Sequence, residues 1–403
     1  MKKIRKQWLI VFIIFLILLI FLRVDYRFKT TVECCSDDYD YFLHASTIAL
    51  DFDLDYSNQN PRPYSYTLND KLTPIGFIGS GILSSPFLFL GNQISNLLNE
   101  DIPNTILNYK LLIYSLSSVF YLFLSYILIF KTMRILNVVI TKYLLLLYIG
   151  SSGITYFAFE RFSMTHVYEV FTISLIIYLL VSYYDSGERK QMESIFIPIA
   201  LLLSFLTKMS NYYIFFLPLI VRKIVIRKGV NLKKKLITDR YFIFSSLFSI
   251  GLYSFISNRL YGEFIINPQK VYGTNITISN FSQTEDGFIE LLISLFQTFG
   301  FIELLISLFQ TFGNVLFSFE FGLFWVCPIL FAALFSIFMD IDNLKRIETY
   351  LILVCFGQNF FIVYLWQSAG SSYGYRYLFS LLPLSLLVFL TFSKNNKVLN
   401  IYM

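Results

Sequence analysis

Long apolar runs follow one another along almost the whole chain, broken only by short polar stretches. A run of about twenty residues with few charges matches the hydrocarbon thickness of a bilayer when wound as a helix. Runs of this kind lie near 8–22, 108–130, 138–157, 167–184, 194–207, 211–226, 241–257, 322–339, 349–366 and 377–392. The pattern predicts an all-α polytopic membrane protein with about ten transmembrane helices. Only the run 194–221 is ambiguous. As one span it would hold Lys208 and Asn211 near the bilayer centre, at a cost of several kcal/mol. As two short helices turning at 207–211 it avoids that cost, and the basic segment Arg222–Arg240 then falls in the cytoplasm, as the positive-inside rule requires.

Composition agrees with the pattern. The chain has 403 residues, of which 56% are hydrophobic and 14% charged, against roughly a quarter charged in soluble domains. That excludes an ordinary soluble enzyme and gives no footing for nucleic acid. The N-terminal MKKIRKQ precedes the first apolar run, and no small-residue cleavage site follows, so it reads as an uncleaved first span with its N-terminus inside. Ten spans place the C-terminus inside as well, in the plasma (inner) membrane. One membrane domain, 1–403, then displays two large extracytoplasmic segments, 23–107 and 258–321. Cys34–Cys35, Cys327 and Cys355 have no metal-site or disulfide-framework spacing; Cys34 and Cys35 are either free thiols or a strained vicinal pair.

The second segment contains GFIELLISLFQTF twice in succession, at 287–299 and 300–312. Within each copy the polar residues fall at i, i+4 and i+7, which suits a helix lying in the interface. Thirteen residues turn a helix by about 220° net, so a straight continuation would put the two polar stripes on nearly opposite faces. A break near Gly300 is expected, and the perfect identity points to a recent tandem duplication.

The first outer loop is acidic, with eleven acids against six bases between Arg23 and Lys110. Ser36 is an N-cap residue type, Asp37 and Asp38 fall in the first turn, and Tyr41, Ala45, Ile48 and Phe52 form an apolar stripe. A helix along the membrane surface results, whose N-terminus favours ionised carboxylates. Such acids are commonplace, so spacing alone leaves both solvation and catalysis open. Asp51, Asp53 and Asp55 alternate with apolar residues in what reads as an extended segment; Asp53 and Asp55 could chelate a divalent cation or be simply solvated. The stretch 71–92, rich in Gly, Ser and Pro, reads as a re-entrant or interfacial hairpin.

Asp37, Asp38, Tyr41 and Ala45 reproduce a D-[DE]-x-x-Y-x-x-x-A pattern. Here the chain resembles the GT-C class of membrane glycosyltransferases, among them the protein O-mannosyltransferases and the lipid A aminoarabinose transferases. ERFSMTHVYEVF (160–171), LTKMSNYYIFFLP (206–218), LFSFEFGLFWVCP (316–328) and WQSAGSSYGYRYLFSLLP (366–383) are similar to that class in order and in outer placement. The resemblance implies transfer of a sugar from a polyprenyl-phosphate carrier to a lipid, glycan or protein acceptor outside the membrane. Such a reaction needs a base for the acceptor hydroxyl and cations for the departing phosphate. The resemblance places the base at Asp37, with Asp38 beside it. Outer cations include Lys71, Arg161, Lys208, Arg259 and Arg376; Lys208, at a tight apolar turn, suits phosphate, while Arg376 suits either phosphate or snorkelling. Glu160, His166 and Tyr373 are further substrate-contact candidates, each with an ordinary structural reading beside it. The rival classes are a transporter or flippase of a lipid-linked sugar, and a polysaccharide polymerase or ligase. Transporters bury ionisable groups at mid-membrane, whereas here the charges gather at the outer ends of the spans.

Overall fold

The computed structural model describes residues 9–14, 36–59, 66–98, 108–185, 191–227, 236–272, 306, 309–319, 322–338, 346–366 and 376–392. Its principal helices are α1 (Ser36–Ser46), α2 (Gly79–Leu97), α3 (Tyr109–Ile135), α4 (Lys142–Gly150), α5 (Ile154–Phe159), α6 (His166–Asp185), α7 (Gln191–Thr207) and α8 (Leu217–Arg227). After them come α9 (Arg240–Tyr261), α10 (Pro328–Phe338), α11 (Ile347–Trp366) and α12 (Leu382–Phe392). Polar residues set several of the boundaries. The Asn108 side chain accepts from Leu111 N at 3.0 Å and Thr141 from Leu144 N at 3.2 Å, while Asp239 caps α9 by accepting from Tyr241 N at 3.0 Å. Each satisfies an N–H that the helix itself leaves orphaned.

Among the described residues, α3, α6, α9 and α11 are four helices long and apolar enough to cross a membrane. The other predicted runs are helical but interrupted. Residues 138–157 split into α4 and α5 at 151–153, where Gly153 N donates to Val326 O at 2.8 Å. The run 322–339 breaks at Pro328, and 377–392 begins as a 3-10 turn, Arg376–Leu381, before α12. An eleven-residue helix such as α8, α10 or α12 extends only about 16 Å, roughly half the hydrocarbon core. Of the first predicted span only 9–14 is described, and it is helical. The hairpin at 207–211 is present: α7 ends at Thr207 and a 3-10 turn, Tyr212–Phe216, leads into α8. Most of the 287–312 duplication lies outside the described residues.

Residues 71–92 differ from the sequence reading. Tyr66–Leu68 and Lys71–Thr73 pair as a short antiparallel hairpin, and the nineteen residues Gly79–Leu97 form one continuous helix. The small residues that read as breakers are contact points instead. A Cβ on Gly79 would meet the backbone of Thr207 at 2.3 Å, and one on Gly81 would meet His44 Cβ at 2.6 Å. They let α2 lie against both α7 and α1, the role small residues commonly have between membrane helices.

The helix α6 forms the centre, with α3, α7 and α8 packed around it and the 376–381 turn across its start. Its side chains are buried almost without exception. By contrast α9 leaves Ile243, Phe244, Leu247, Phe248, Ile250 and Phe255 exposed along one face, a surface that suits lipid and not water. Across one end of the bundle lies α1, packed on α2. Tyr41 and Ala45 are buried as the stripe requires, but Phe52 is exposed. The chain widens into a π-helical turn at Thr47–Asp51, and Phe52 adopts φ 60° at its end, which turns the side chain away.

Candidate functional site

The start of α1 sits over the start of α6, and the two acids of its first turn take different partners. Asp37 Oδ2 receives Arg376 Nη1 at 2.8 Å, with the carboxylate 38% and the guanidinium 15% exposed. Asp38 is only 1% exposed and is held by both Nε (2.9 Å) and Nη2 of Arg161. Ser163 Oγ donates to the Asp38 carbonyl at 2.7 Å, tying α1 to the loop that precedes α6. One carboxylate of the pair thus faces the outside of the cluster, and its neighbour is locked inside it.

Below them is a third acid that the sequence reading did not single out. Glu169, one turn into α6, is fully buried and gathers three groups. His166 Nδ1 lies 3.0 Å from Oε1, Asn211 Nδ2 donates to Oε2 at 3.0 Å, and Lys208 Nζ stands 3.3 Å from Oε2. Thr165 Oγ1 donates to the Thr207 carbonyl at 2.9 Å, which pins the hairpin turn carrying Lys208 and Asn211 to the head of α6. The Lys208 ammonium also sits 4.2 Å above the Tyr377 ring, and the Arg376 guanidinium lies 5.4 Å from the same ring. Tyr377 therefore bridges the Asp37–Arg376 pair and the Glu169 cluster. Tyr41 stands between them from the α1 side. Burial, followed by the charges of Asp37 and Glu169, pushes its phenol well above the usual tyrosine range. Gly76, at φ 119°, makes room for this ring: a Cβ there would come within 2.9 Å of it.

The structure brings together Asp37, Asp38, Tyr41, Arg161, His166, Lys208 and Arg376 from the motif residues and candidates read in the sequence, and adds Glu169, Asn211 and Tyr377. Glu160 caps the end of α5, next to Arg161 in the chain. Lys71 stands exposed at the end of the β-hairpin, beside Asp55 and away from the cluster. Tyr373 lies outside the described residues. Asp53 and Asp55 serve local turns: Asp53 Oδ1 accepts from Thr47 Oγ1 (2.8 Å) and Asp55 N (3.1 Å), and Asp55 Oδ1 accepts from Ser57 N (2.9 Å). Among the described residues no cluster of three or more His, Cys, Asp or Glu has the arrangement to hold a metal ion. Glu169 was discoverable from sequence, because an acid inside an otherwise apolar run is paired or functional by default.

Fold and site together define a helical membrane protein with a largely buried ionic cluster at one end of its bundle. No family model matches the chain, and no curated protein matches it. Among solved structures it is similar to the archaeal oligosaccharyltransferase AglB from Archaeoglobus fulgidus, solved in complex with an inhibitory peptide and a dolichol-phosphate. The identity is 13% and the TM-score 0.48, with 99% of this chain and 51% of that one covered. The chain thus spans about half the length of that protein.

Proposed function

We propose that this protein is a glycosyltransferase that moves a sugar from a polyprenyl-phosphate carrier to an acceptor on the extracytoplasmic face of the membrane. The observation that supports this best is the Asp37–Arg376 pair: a partly exposed carboxylate touching a partly exposed guanidinium, at the head of an apolar bundle. In the reaction the acceptor oxygen bonds to the anomeric carbon as the carbon–phosphate oxygen bond breaks. Asp37 takes the acceptor's hydroxyl proton, and the electron pair leaves on the lipid phosphate. Arg376 neutralises that developing charge, which is where a fixed cation contributes most. Asp38, clamped by Arg161, holds the first turn of α1 in place so that Asp37 faces the acceptor. The acceptor itself is a lipid, a glycan or a protein.

The test is to incubate the purified chain with polyprenyl-phosphate sugars and candidate acceptors and to measure sugar-free polyprenyl phosphate. Release that depends on acceptor supports the reading. Transbilayer movement with the sugar ester intact would replace it with a flippase.

A further inference from the structure

Two of the three groups around Glu169 have a further polar atom with nothing to bond, and the third keeps donors to spare. A carboxylate only accepts, so His166 donates from Nδ1 and Asn211 from its amide nitrogen. That leaves the Nε2 lone pair of a neutral His166 and the Oδ1 of Asn211 as buried acceptors without a partner. The Lys208 ammonium is ion-paired to Glu169 at 3.3 Å, and with three N–H donors it has hydrogens left over for a further acceptor. All four residues are at least 98% buried. Native proteins seldom leave such atoms unsatisfied, and two around one carboxylate call for a common explanation.

Two acceptors and one cationic donor beside an ionised carboxylate specify a ligand chemistry. A phosphate offers only acceptors and negative charge, so it would face two lone pairs and the charge of Glu169. A hydroxyl both donates and accepts. Neighbouring hydroxyls on a neutral sugar can give hydrogens to His166 Nε2 and Asn211 Oδ1 and take one from Lys208. The cluster is also correctly placed for this, because Lys208 and Arg376 both contact the Tyr377 ring.

We infer that Glu169, His166, Asn211 and Lys208 form the subsite that reads the hydroxyls of the donor sugar, with Lys208 serving the sugar and Arg376 the phosphate. Glu169 is the positioning residue of the four: it sets the histidine tautomer and the amide orientation, and so the pattern that is presented. The inference rests on the glycosyl-transfer reading above.

The experiment measures binding of the full chain, in nanodiscs, to polyprenyl phosphate and to the same lipid bearing glucose, mannose or galactose. Wild type should bind at least one sugar-bearing lipid about tenfold or more tighter than the bare lipid, because a site built for hydroxyls discriminates strongly against their absence. Asn211→Leu and Lys208→Met should erase that preference and leave affinity for bare polyprenyl phosphate within about threefold. Equal weakening of both lipids would show that the cluster holds phosphate, and would overturn the inference. A preference left intact by both variants would show a purely structural cluster and overturn it too. If wild type binds neither lipid, the glycosyl-transfer reading fails and the subsite with it; binding without the predicted preference removes the subsite alone. Should the variants not fold, wild type tested against monodeoxy hexoses on the same lipid decides the matter. At least one missing hydroxyl should cost about tenfold or more, and uniform affinity across the series would contradict the inference.

Discussion

Two adjacent aspartates with identical chemistry have opposite surroundings, and their substitutions should separate accordingly. Asp38→Asn takes the Asp38 charge away from the buried Arg161 guanidinium. Breaking one partner of a buried pair costs about 3–5 kcal/mol, so this variant should melt early and be recovered poorly. Asp37→Asn, at a partly exposed position, should fold as wild type. Equal stability of the two variants would contradict the division of roles. His44 supplies a pH test. It is fully buried, with Nδ1 2.6 Å from the Tyr56 hydroxyl, and burial pushes its imidazole down to about 4 from an ordinary 6.5. The folded chain therefore refuses a proton that the unfolded chain accepts. Nothing is lost above pH 6.5, and stability falls as pH drops from 6.5 towards about 4. The loss reaches about 2–3 kcal/mol near pH 4.5. Melting curves at about pH 7 and 4.5 should show a smaller drop for His44→Gln, which keeps a polar group for Tyr56; parallel curves would refute the assignment.

At the scale of elements, the close approach of α2 to α7 and α1 depends on two glycines. Gly79→Leu would force atoms into the Thr207 backbone, which cannot retreat as a flexible side chain can. Overpacking of this kind typically costs about 1–3 kcal/mol or more. It should lower the melting temperature and also disturb Lys208, which directly follows Thr207 in the hairpin turn. A variant as stable as wild type would show that α2 and α7 are less tightly apposed than described. The same glycines show where sequence reading runs out. The helices α3, α6, α9 and α11 are legible because their apolar runs are long enough to cross a bilayer, and the hairpin at 207–211 follows from the cost of holding Lys208 near the bilayer centre. The helix α2 was missed because Gly, Ser and Pro have the same composition whether they break a helix or line its contacts; only the neighbouring helix distinguishes the two. Phe52 left the stripe of α1 for a similar reason, since a local change to a π-helical turn leaves no mark in a periodicity.

For the whole molecule, membrane character was legible from composition and the acidic pair from its place in the first turn of α1. The partner set of Glu169 was not. Its members come from α6 and the 207–211 turn, and the Tyr377 ring above Lys208 comes from the turn before α12. Such a cluster exists only once the helices are packed. Orientation gives an independent test of the arrangement. Reporters fused after residues 187 and 230 should report cytoplasm and one after 275 the outside. An outside signal at 230 would remove the hairpin topology and place Lys208 on the wrong face. The central claim is that Asp37 is the base of a sugar transfer. It is tested most directly by the single-turnover rate of polyprenyl phosphate release by Asp37→Asn, on a donor–acceptor pair that wild type turns over. A general base contributes about 10²–10⁴-fold, so the rate should fall at least about a hundredfold while donor binding and melting temperature stay close to wild type. A rate within about threefold of wild type would contradict the account.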